Sequence, residues 1–196
     1  TKNSVSGGLS QTISSDEIDG QIIGKSPAVR RLIQQVRKLV DSRTPLLLQG
    51  EIGVGKSHIA EVIHKARHED ETPFVRIDCS LSTDEGFQAG LLGESGSGGE
   101  WVAKATGGTL FLENLQSLPD SFQAELVSVL RSRSSEFGVI CSSTVDLEHL
   151  VDEGKFSDEL FFRVAAIPLL VPPLRDRLED ISLLIKALLA KSANPL

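Results

Sequence analysis

The sequence contains no methionine and no tyrosine, one tryptophan, and two cysteines among 196 residues. Cys79 and Cys141 stand far apart without Cys-x-x-Cys spacing, which argues against a zinc site or a disulfide scaffold. We expect two core thiols in a reducing cytoplasm. No apolar run approaches the roughly 20 residues of a membrane span, and the polar start is not a signal peptide, so no membrane partner is expected. Because even position 1 lacks methionine, we expect a longer parent chain.

Basic residues are outnumbered by acidic ones. Lys and Arg total 20 and Asp and Glu total 27, so the formal net charge is −7. Such a chain is a poor non-specific nucleic-acid binder by itself, although a DNA-binding domain outside it is compatible with this charge. The apolar fraction of 40% and the charged fraction of 24% are typical of one globular domain, which argues against a disordered or fibrous protein.

Short apolar runs alternate with amphipathic segments, which predicts an α/β fold with a parallel sheet. Residues 1–20 are polar, glycine-rich and without apolar periodicity, and we interpret them as a flexible linker. Ser26 before Pro27 is typical of a helix start. Strands are predicted at residues 45–49, 74–78, 109–112, 137–141 and 166–171. Helices are predicted over residues 29–40, after residues 50–57, after Pro119, over most of residues 146–163 with an interruption at Gly154, and over residues 181–190.

Residues 50–57 read GEIGVGKS and match the phosphate-binding pattern G-x-x-x-x-G-K-[ST] in full, between a predicted strand and a predicted helix. Glycines at Gly50, Gly53 and Gly55 let the backbone wrap closely around phosphate oxygens. Several N–H groups and the helix N-terminus then point at the anion. Lys56 supplies a charge for the β- and γ-phosphates, and Ser57 offers a hydroxyl to magnesium.

Further motifs resemble the AAA+ domain of sigma-54-dependent transcriptional activators. The resemblance covers residues 22–190 and is carried, beyond the loop, by residues 23–27, 107–112, 146–147, 154–156, 161–163 and 172–177. It implies a P-loop NTPase AAA+ core at residues 21–172 and the beginning of a small helical lid at residues 173–196. It also implies assembly into a ring, ATP or ADP with magnesium as cofactors, and RNA polymerase with its sigma factor as a partner. Ile23, Glu51, Val54 and Arg175 are further nucleotide-binding residues that it implies.

One departure from the family concerns the loop that contacts the sigma factor. The family motif GAFTGA is absent, and the equivalent stretch at residues 92–101 is shorter. We interpret residues 96–99 as a flexible loop tip, with a second anion-binding nest as the alternative. Engagement of sigma-54 is therefore not expected.

A second group of departures concerns hydrolysis. The family's Asp-Glu pair after the third strand is replaced by Glu113 and Asn114. Glu113 can still hold magnesium through water, but the amide of Asn114 cannot accept a proton from the attacking water at neutral pH. Because general-base catalysis contributes about 10²–10⁴-fold, we expect little or no hydrolysis. The alternative is that Asn114 caps the next turn and another carboxylate serves.

Other family positions have changed too. Family asparagines are replaced by Asp78 and Thr144, and one intersubunit arginine by Ser157, whereas Arg163 retains the second. Arg163 is therefore a candidate arginine finger, with a surface salt bridge as the alternative. Random substitution would be expected to change the phosphate loop as well, but the loop motif is intact. The pattern favours retained binding with dispensable turnover.

Two weaker signals complete the analysis. His64 and His68 are four residues apart, but Glu61 is misplaced for a metal site, so an exposed helix surface is predicted. Trp101 is expected to pack against the core, with a partner contact as the alternative.

The sequence thus favours an ATP-binding regulatory module of a bacterial transcriptional regulator, localised in the cytoplasm. It would self-associate as a ring or dimer and reach DNA through a domain outside this chain. The alternatives are an active AAA+ ATPase that remodels a transcription partner, a nucleotide-free scaffold, and a regulator responsive to cyclic di-GMP. The basic residues Lys25, Arg30 and Arg31 are available for a cyclic dinucleotide, although a solvated helix face explains them equally well.

Overall fold

A computed structural model describes residues 18–68, 71–82, 85–93, 98–133 and 135–193 of the chain. The strands are β1 Leu46–Gln49, β2 Phe74–Asp78, β3 Thr109–Glu113, β4 Gly138–Ser143 and β5 Ile167–Leu170. The helices are α1 Ile18–Gln21, α2 Pro27–Leu39, α3 Lys56–Arg67, α4 Glu85–Leu91, α5 Glu100–Lys104, α6 Asp120–Arg133, α7 Leu147–Asp152, α8 Asp158–Val164 and α9 Ile181–Ala193. Short 3-10 helices lie at Cys79–Leu81, Leu115–Ser117 and Leu174–Asp180.

The strands form one parallel sheet in the order β2-β3-β4-β1-β5. The predicted strands are confirmed to within a few residues at their ends. Because all strands run the same way, the carboxyl ends of β1, β2, β3 and β4 meet at one edge. Ligands of open α/β sheets bind at this edge.

Helices cover both faces of the sheet, as the apolar strands require. Leu46 and Leu48 of β1 face one way and pack with α1, α2 and α3. Leu47 faces the other way and packs with α4 to α8. Both cysteines are fully buried, which confirms the prediction of core thiols, and burial raises the pKa of the Cys79 thiol to about 12.

The beginning of α2 follows the expected capping chemistry. The Ser26 hydroxyl accepts a hydrogen bond from the Val29 N–H at 3.3 Å, and Pro27 occupies the first turn.

The predicted linker at residues 1–20 ends too late. Ile18 begins helix α1 and is completely buried against the α2–α3 side of the core. A single buried isoleucine in a polar stretch has no periodicity to reveal it. The preceding residues of that prediction lie outside the described part of the chain.

The short helices α4 and α5 were not predicted. Helix α4 ends just before the glycine-rich stretch at residues 92–101, and α5 begins within it. Residues 94–97 of this stretch, which include half of the predicted loop tip, lie outside the described ranges. Trp101 of α5 packs edge-on against Phe87 of α4 with ring centroids 5.8 Å apart, and a side chain at Gly90 would overlap its indole. Packing against the core is therefore its observed environment.

Candidate functional site

The loop at residues 50–57 connects β1 to α3 at the carboxyl edge of the sheet. Gly53 and Gly55 have φ values of +80° and +103°, in the left-handed region that favours glycine. No heavy atom lies within 4 Å of a Cβ built on either residue, so open space adjoins the backbone there. Gly55 is the N-cap of α3, which directs the helix N-terminus into that space.

Lys56 holds the loop from within. Its Nζ donates to the carbonyl oxygens of Gly50 at 2.7 Å and Glu51 at 2.9 Å, and its side chain is largely buried. Burial lowers the pKa of Lys56, and the charge of Glu113 opposes this shift. The lysine is thus already positioned inside the loop.

Two cavities adjoin the loop on different sides. An apolar one of about 640 Å³ lies against Ile23 and Val54 and continues to the apolar residues of α9. A polar one of about 330 Å³ is lined by Lys56, Ser57 and Glu113. Both are bounded by Gly53, so an elongated ligand with an apolar end and an anionic end could occupy them together.

Ser57 and Glu113 provide the oxygen donors that magnesium prefers. The Ser57 hydroxyl donates to Glu113 Oε1 at 2.5 Å, so both oxygens already lie in one place. This arrangement fits a magnesium ion held with a nucleotide. The second oxygen, Oε2, is taken by Arg76 of β2 at 2.6–2.7 Å.

Asn114 does not act as a simple side-chain cap. It stands at the N-cap position of the 3-10 helix Leu115–Ser117 with φ +54°, but it makes no side-chain capping bond. Its Nδ2 instead donates to Asp78 Oδ1 at 3.0 Å. Burial would raise the pKa of Asp78, but hydrogen bonds from Asn114 and Ser80 outweigh it and lower that pKa. An ionised carboxylate therefore lies beside the amide.

Thr144 and Ser157, which also differ from the family pattern, make hydrogen bonds of their own. The Thr144 hydroxyl, in the polar cavity, accepts from Gln116 Nε2 at 2.9 Å. Ser157 caps α8, because its hydroxyl accepts from the Leu160 N–H at 3.2 Å. A capping residue suits this position better than an arginine would.

Arg163 lies on α8, away from both cavities. Its Nη2 is 3.6 Å from Glu159 Oε1 one turn earlier, and its Nε is buried without a hydrogen-bond partner. The structure therefore shows the salt bridge that the sequence left as an alternative. An arginine finger acts on the nucleotide of a neighbouring subunit, so it also lies far from the nucleotide site of its own chain. The role of Arg163 as an arginine finger therefore stays a prediction.

Arg175 and Glu51 bind each other. Two hydrogen bonds of 2.7 and 2.5 Å join the guanidinium to the carboxylate. Arg177 donates to the carbonyl oxygen of Val54 at 2.8 Å. The segment after β5 is thereby attached to the phosphate loop, beside the apolar cavity.

Sequence reasoning missed three contributors to this region. Arg76 lies two residues before Asp78 on β2. Because side chains two residues apart in a strand share a face, the sequence could have placed Arg76 beside Asp78. Gln116 carried no comparable signal. Asp180 is fully buried and accepts the backbone N–H groups of Lys25 at 2.6 Å and Ser26 at 2.9 Å.

The prediction for His64 was wrong. Its side chain is 8% exposed, and its ring nitrogens face the Thr109 hydroxyl at 2.9 Å and the Thr72 carbonyl at 3.2 Å. Within the described ranges, no group of three His, Cys, Asp or Glu side chains could hold a metal ion. In the same ranges, the helices are too short or too polar to cross a bilayer.

The parallel sheet with a phosphate loop between β1 and α3 defines a P-loop NTPase fold of the AAA+ class. The chain belongs to the Sigma-54 interaction domain family, whose model matches residues 22–170.

Its relatives are bacterial regulators. It is 32% identical to a Nif-specific regulatory protein of Rhodobacter capsulatus, covering 84% of this chain and 31% of the relative. It is 33% identical to the regulatory protein AtoC of Escherichia coli, covering 93% and 44%. The crystal structure of NtrX from Brucella abortus in complex with ATP superposes with a TM-score of 0.78 at 27% identity, covering 89% and 44%. The chain thus spans less than half the length of these proteins.

Proposed function

We propose that this chain is the ATP-binding module of a bacterial transcriptional regulator and that it binds nucleotide with little or no hydrolysis. The triphosphate would lie on Gly50, Gly53, Gly55, Lys56 and Ser57, with magnesium between Ser57 and Glu113. The base would enter the apolar cavity near Ile23 and Val54, beside the Glu51–Arg175 pair. The observation that carries the proposal is a complete phosphate loop next to the amide of Asn114, which stands where the family has the carboxylate that activates water.

Binding is supported by the loop itself. Left-handed glycines, a helix N-terminus and an inward lysine converge on one loop, which is the arrangement that binds phosphate groups. NtrX, a relative with the same fold, was crystallised with ATP and also with ADP.

Impaired hydrolysis is supported by the Asn114–Asp78 pair. Compared with the family pattern, the carboxylate and the amide have exchanged positions between β2 and β3. The carboxylate of Asp78 also accepts the Ser80 N–H and hydroxyl at 3.0 and 2.7 Å, so its oxygen Oδ1 is occupied. An occupied carboxylate with a lowered pKa is a weak base for water.

The experiment is ATP hydrolysis by the full-length protein at saturating magnesium-ATP, beside Asn114→Glu and the double variant Asp78→Asn/Asn114→Glu. Asn114→Glu alone would place two carboxylates about 3 Å apart, which raises the pKa of one of them. The double variant restores a donor beside the new carboxylate. We expect a silent wild type, a modest gain in the single variant, and a gain of about 10²-fold or more in the double variant.

Lys56→Ala added to the double variant is the control, because turnover at this site must then disappear. Wild-type turnover at ordinary AAA+ rates would contradict the proposal. Asp78 would then be the candidate base, and Asp78→Asn would abolish that turnover. This second function, an active ATPase, is favoured only by the presence of the Asp78 carboxylate.

The remaining parts of the proposal concern partners. We propose that the bound nucleotide stabilises a ring or dimer, with Arg163 reaching the neighbouring subunit, and that sigma-54 is not engaged because GAFTGA is absent. Contact with DNA or RNA polymerase would involve other parts of the protein. Binding of cyclic di-GMP is the alternative ligand hypothesis, and calorimetric titration of cyclic di-GMP into the full-length protein tests it.

A further inference from the structure

Arg76 is bonded to Glu113, one of the two residues proposed to hold magnesium. It lies on the edge strand β2, two residues before Asp78, and its guanidinium bonds Glu113 Oε2 through Nε at 2.7 Å and Nη2 at 2.6 Å. The Arg76 side chain is 51% exposed and that of Glu113 is 13% exposed, so the carboxylate faces little water. Its other oxygen accepts from Ser57. Both carboxylate oxygens are therefore occupied within the protein.

This pairing changes the charge that an incoming phosphate meets. An unpaired Glu113 beside the phosphate loop would repel a triphosphate, and a divalent cation would be needed to bridge the two. Arg76 already neutralises that carboxylate.

Other charges nearby do not replace Arg76. The charge of Glu113 also acts on Lys56, but the Lys56 Nζ donates to the carbonyl oxygens of Gly50 and Glu51. Asp78 accepts from Asn114 and Ser80. Among the described residues, Arg76 is the cationic side chain bonded to Glu113.

We propose that Arg76 is a resident cation of the nucleotide site and makes binding of a nucleoside triphosphate largely independent of magnesium. This inference rests on the proposed function, because it concerns the same site. It does not depend on whether the nucleotide is hydrolysed.

The test is calorimetric titration of ATP into the full-length protein, once with excess magnesium and once with EDTA. Wild type is expected to bind ATP with similar affinity in both. Arg76→Gln is expected to lose about tenfold or more in affinity in EDTA, because the Glu113 carboxylate then repels the triphosphate without compensation. With magnesium present the loss should be much smaller. Arg131→Gln, an exposed arginine of α6, is the matched control and should behave as wild type.

A double variant that removes both charges shows whether a loss of binding in Arg76→Gln is caused by misfolding. Adding Glu113→Gln to Arg76→Gln removes the carboxylate that needed compensation, so binding in EDTA should return. Arg76→Lys keeps the charge and should retain most of it.

Two outcomes overturn different statements. If EDTA weakens ATP binding to wild type as much as it weakens binding to Arg76→Gln, the inference is wrong and the proposed nucleotide-binding function stands. If wild type binds no ATP in either condition, the proposed function fails, and the inference fails with it.

Discussion

His64 illustrates how the environment of one residue governs its chemistry. Burial is the largest cause that lowers the pKa of His64 to about 4 from 6.5, followed by the charge of His68, while the hydrogen bond with Thr72 acts in the opposite direction. The folded protein therefore holds this imidazole neutral, in contact with Thr109, across the range in which an unfolded chain would protonate it.

This produces a pH dependence of stability. Since the unfolded state binds the proton first, the stabilisation is complete above pH 6.5 and is lost as the pH falls towards 4. The free energy of unfolding should decrease by about 2 kcal/mol between pH 7 and pH 5 on account of His64. Urea titrations at both values measure it. His64→Gln should flatten the dependence, whereas His58→Gln, an exposed histidine of the same helix, should leave it intact; an unchanged slope in His64→Gln would contradict the assignment.

The sequence predicted residue chemistry best where a pattern is local. The residues of the phosphate loop follow from a fixed spacing, and Asn114 could be recognised as an amide where a carboxylate is expected. The bond from Asn114 to Asp78 and the pairing of Arg76 with Glu113 could not be predicted as contacts. Each joins neighbouring strands separated by more than 30 residues, and only the order of strands in the sheet brings them together.

At the scale of elements, two of the contacts that attach the 3-10 helix Leu174–Asp180 to the core differ in burial. Asp180 is fully buried and accepts the backbone N–H groups of Lys25 and Ser26 at the start of α2. The Arg175–Glu51 pair is exposed, with side chains 66% and 54% accessible. Exposed ion pairs contribute little, whereas stranded buried donors are costly.

Substitution at these two points should therefore have unequal effects. Asp180→Ala is expected to lower the free energy of unfolding by about 2 kcal/mol, because the buried N–H group of Ser26 and the part-buried N–H group of Lys25 lose their acceptor. Arg175→Ala should cost less than about 1 kcal/mol. Chemical denaturation of the two variants beside wild type tests the ranking, and equal losses in free energy of unfolding would contradict it.

Strands were easier to predict than short helices. Apolar runs such as Leu46–Gln49 are buried on both faces of a parallel sheet and stand out in the sequence. Helices α4 and α5 have seven and five residues and contain or adjoin glycines, so their periodicity is too brief to detect. Their packing depends on Phe87 and Trp101, which meet only in the folded chain.

At the scale of the whole molecule, two cavities meet at Gly53 at the carboxyl edge of the sheet, where we propose that nucleotide binds. A ligand that binds only the folded state raises its stability by about 2.7 kcal/mol at one hundred times the dissociation constant. The same increment could shift an assembly equilibrium between subunits.

ATP at that concentration should raise the melting temperature by roughly 5–10 °C for a domain of this size. Differential scanning calorimetry measures the shift. Lys56→Ala should abolish it, and Lys65→Ala, an exposed lysine on the same helix, should not. A shift that survives Lys56→Ala would place ATP elsewhere, and no shift in wild type would favour the nucleotide-free scaffold.

The packing of Trp101 gives the domain a built-in optical reporter. With one tryptophan and no tyrosine in the chain, ultraviolet emission comes from a single indole. That indole lies on α5, three residues after Gly98, and rests on Phe87 and Gly90 of α4. Any rearrangement between these two helices would alter its surroundings directly. Changes in the packing of α4 against α5 can thus be followed at this place in real time, without a label.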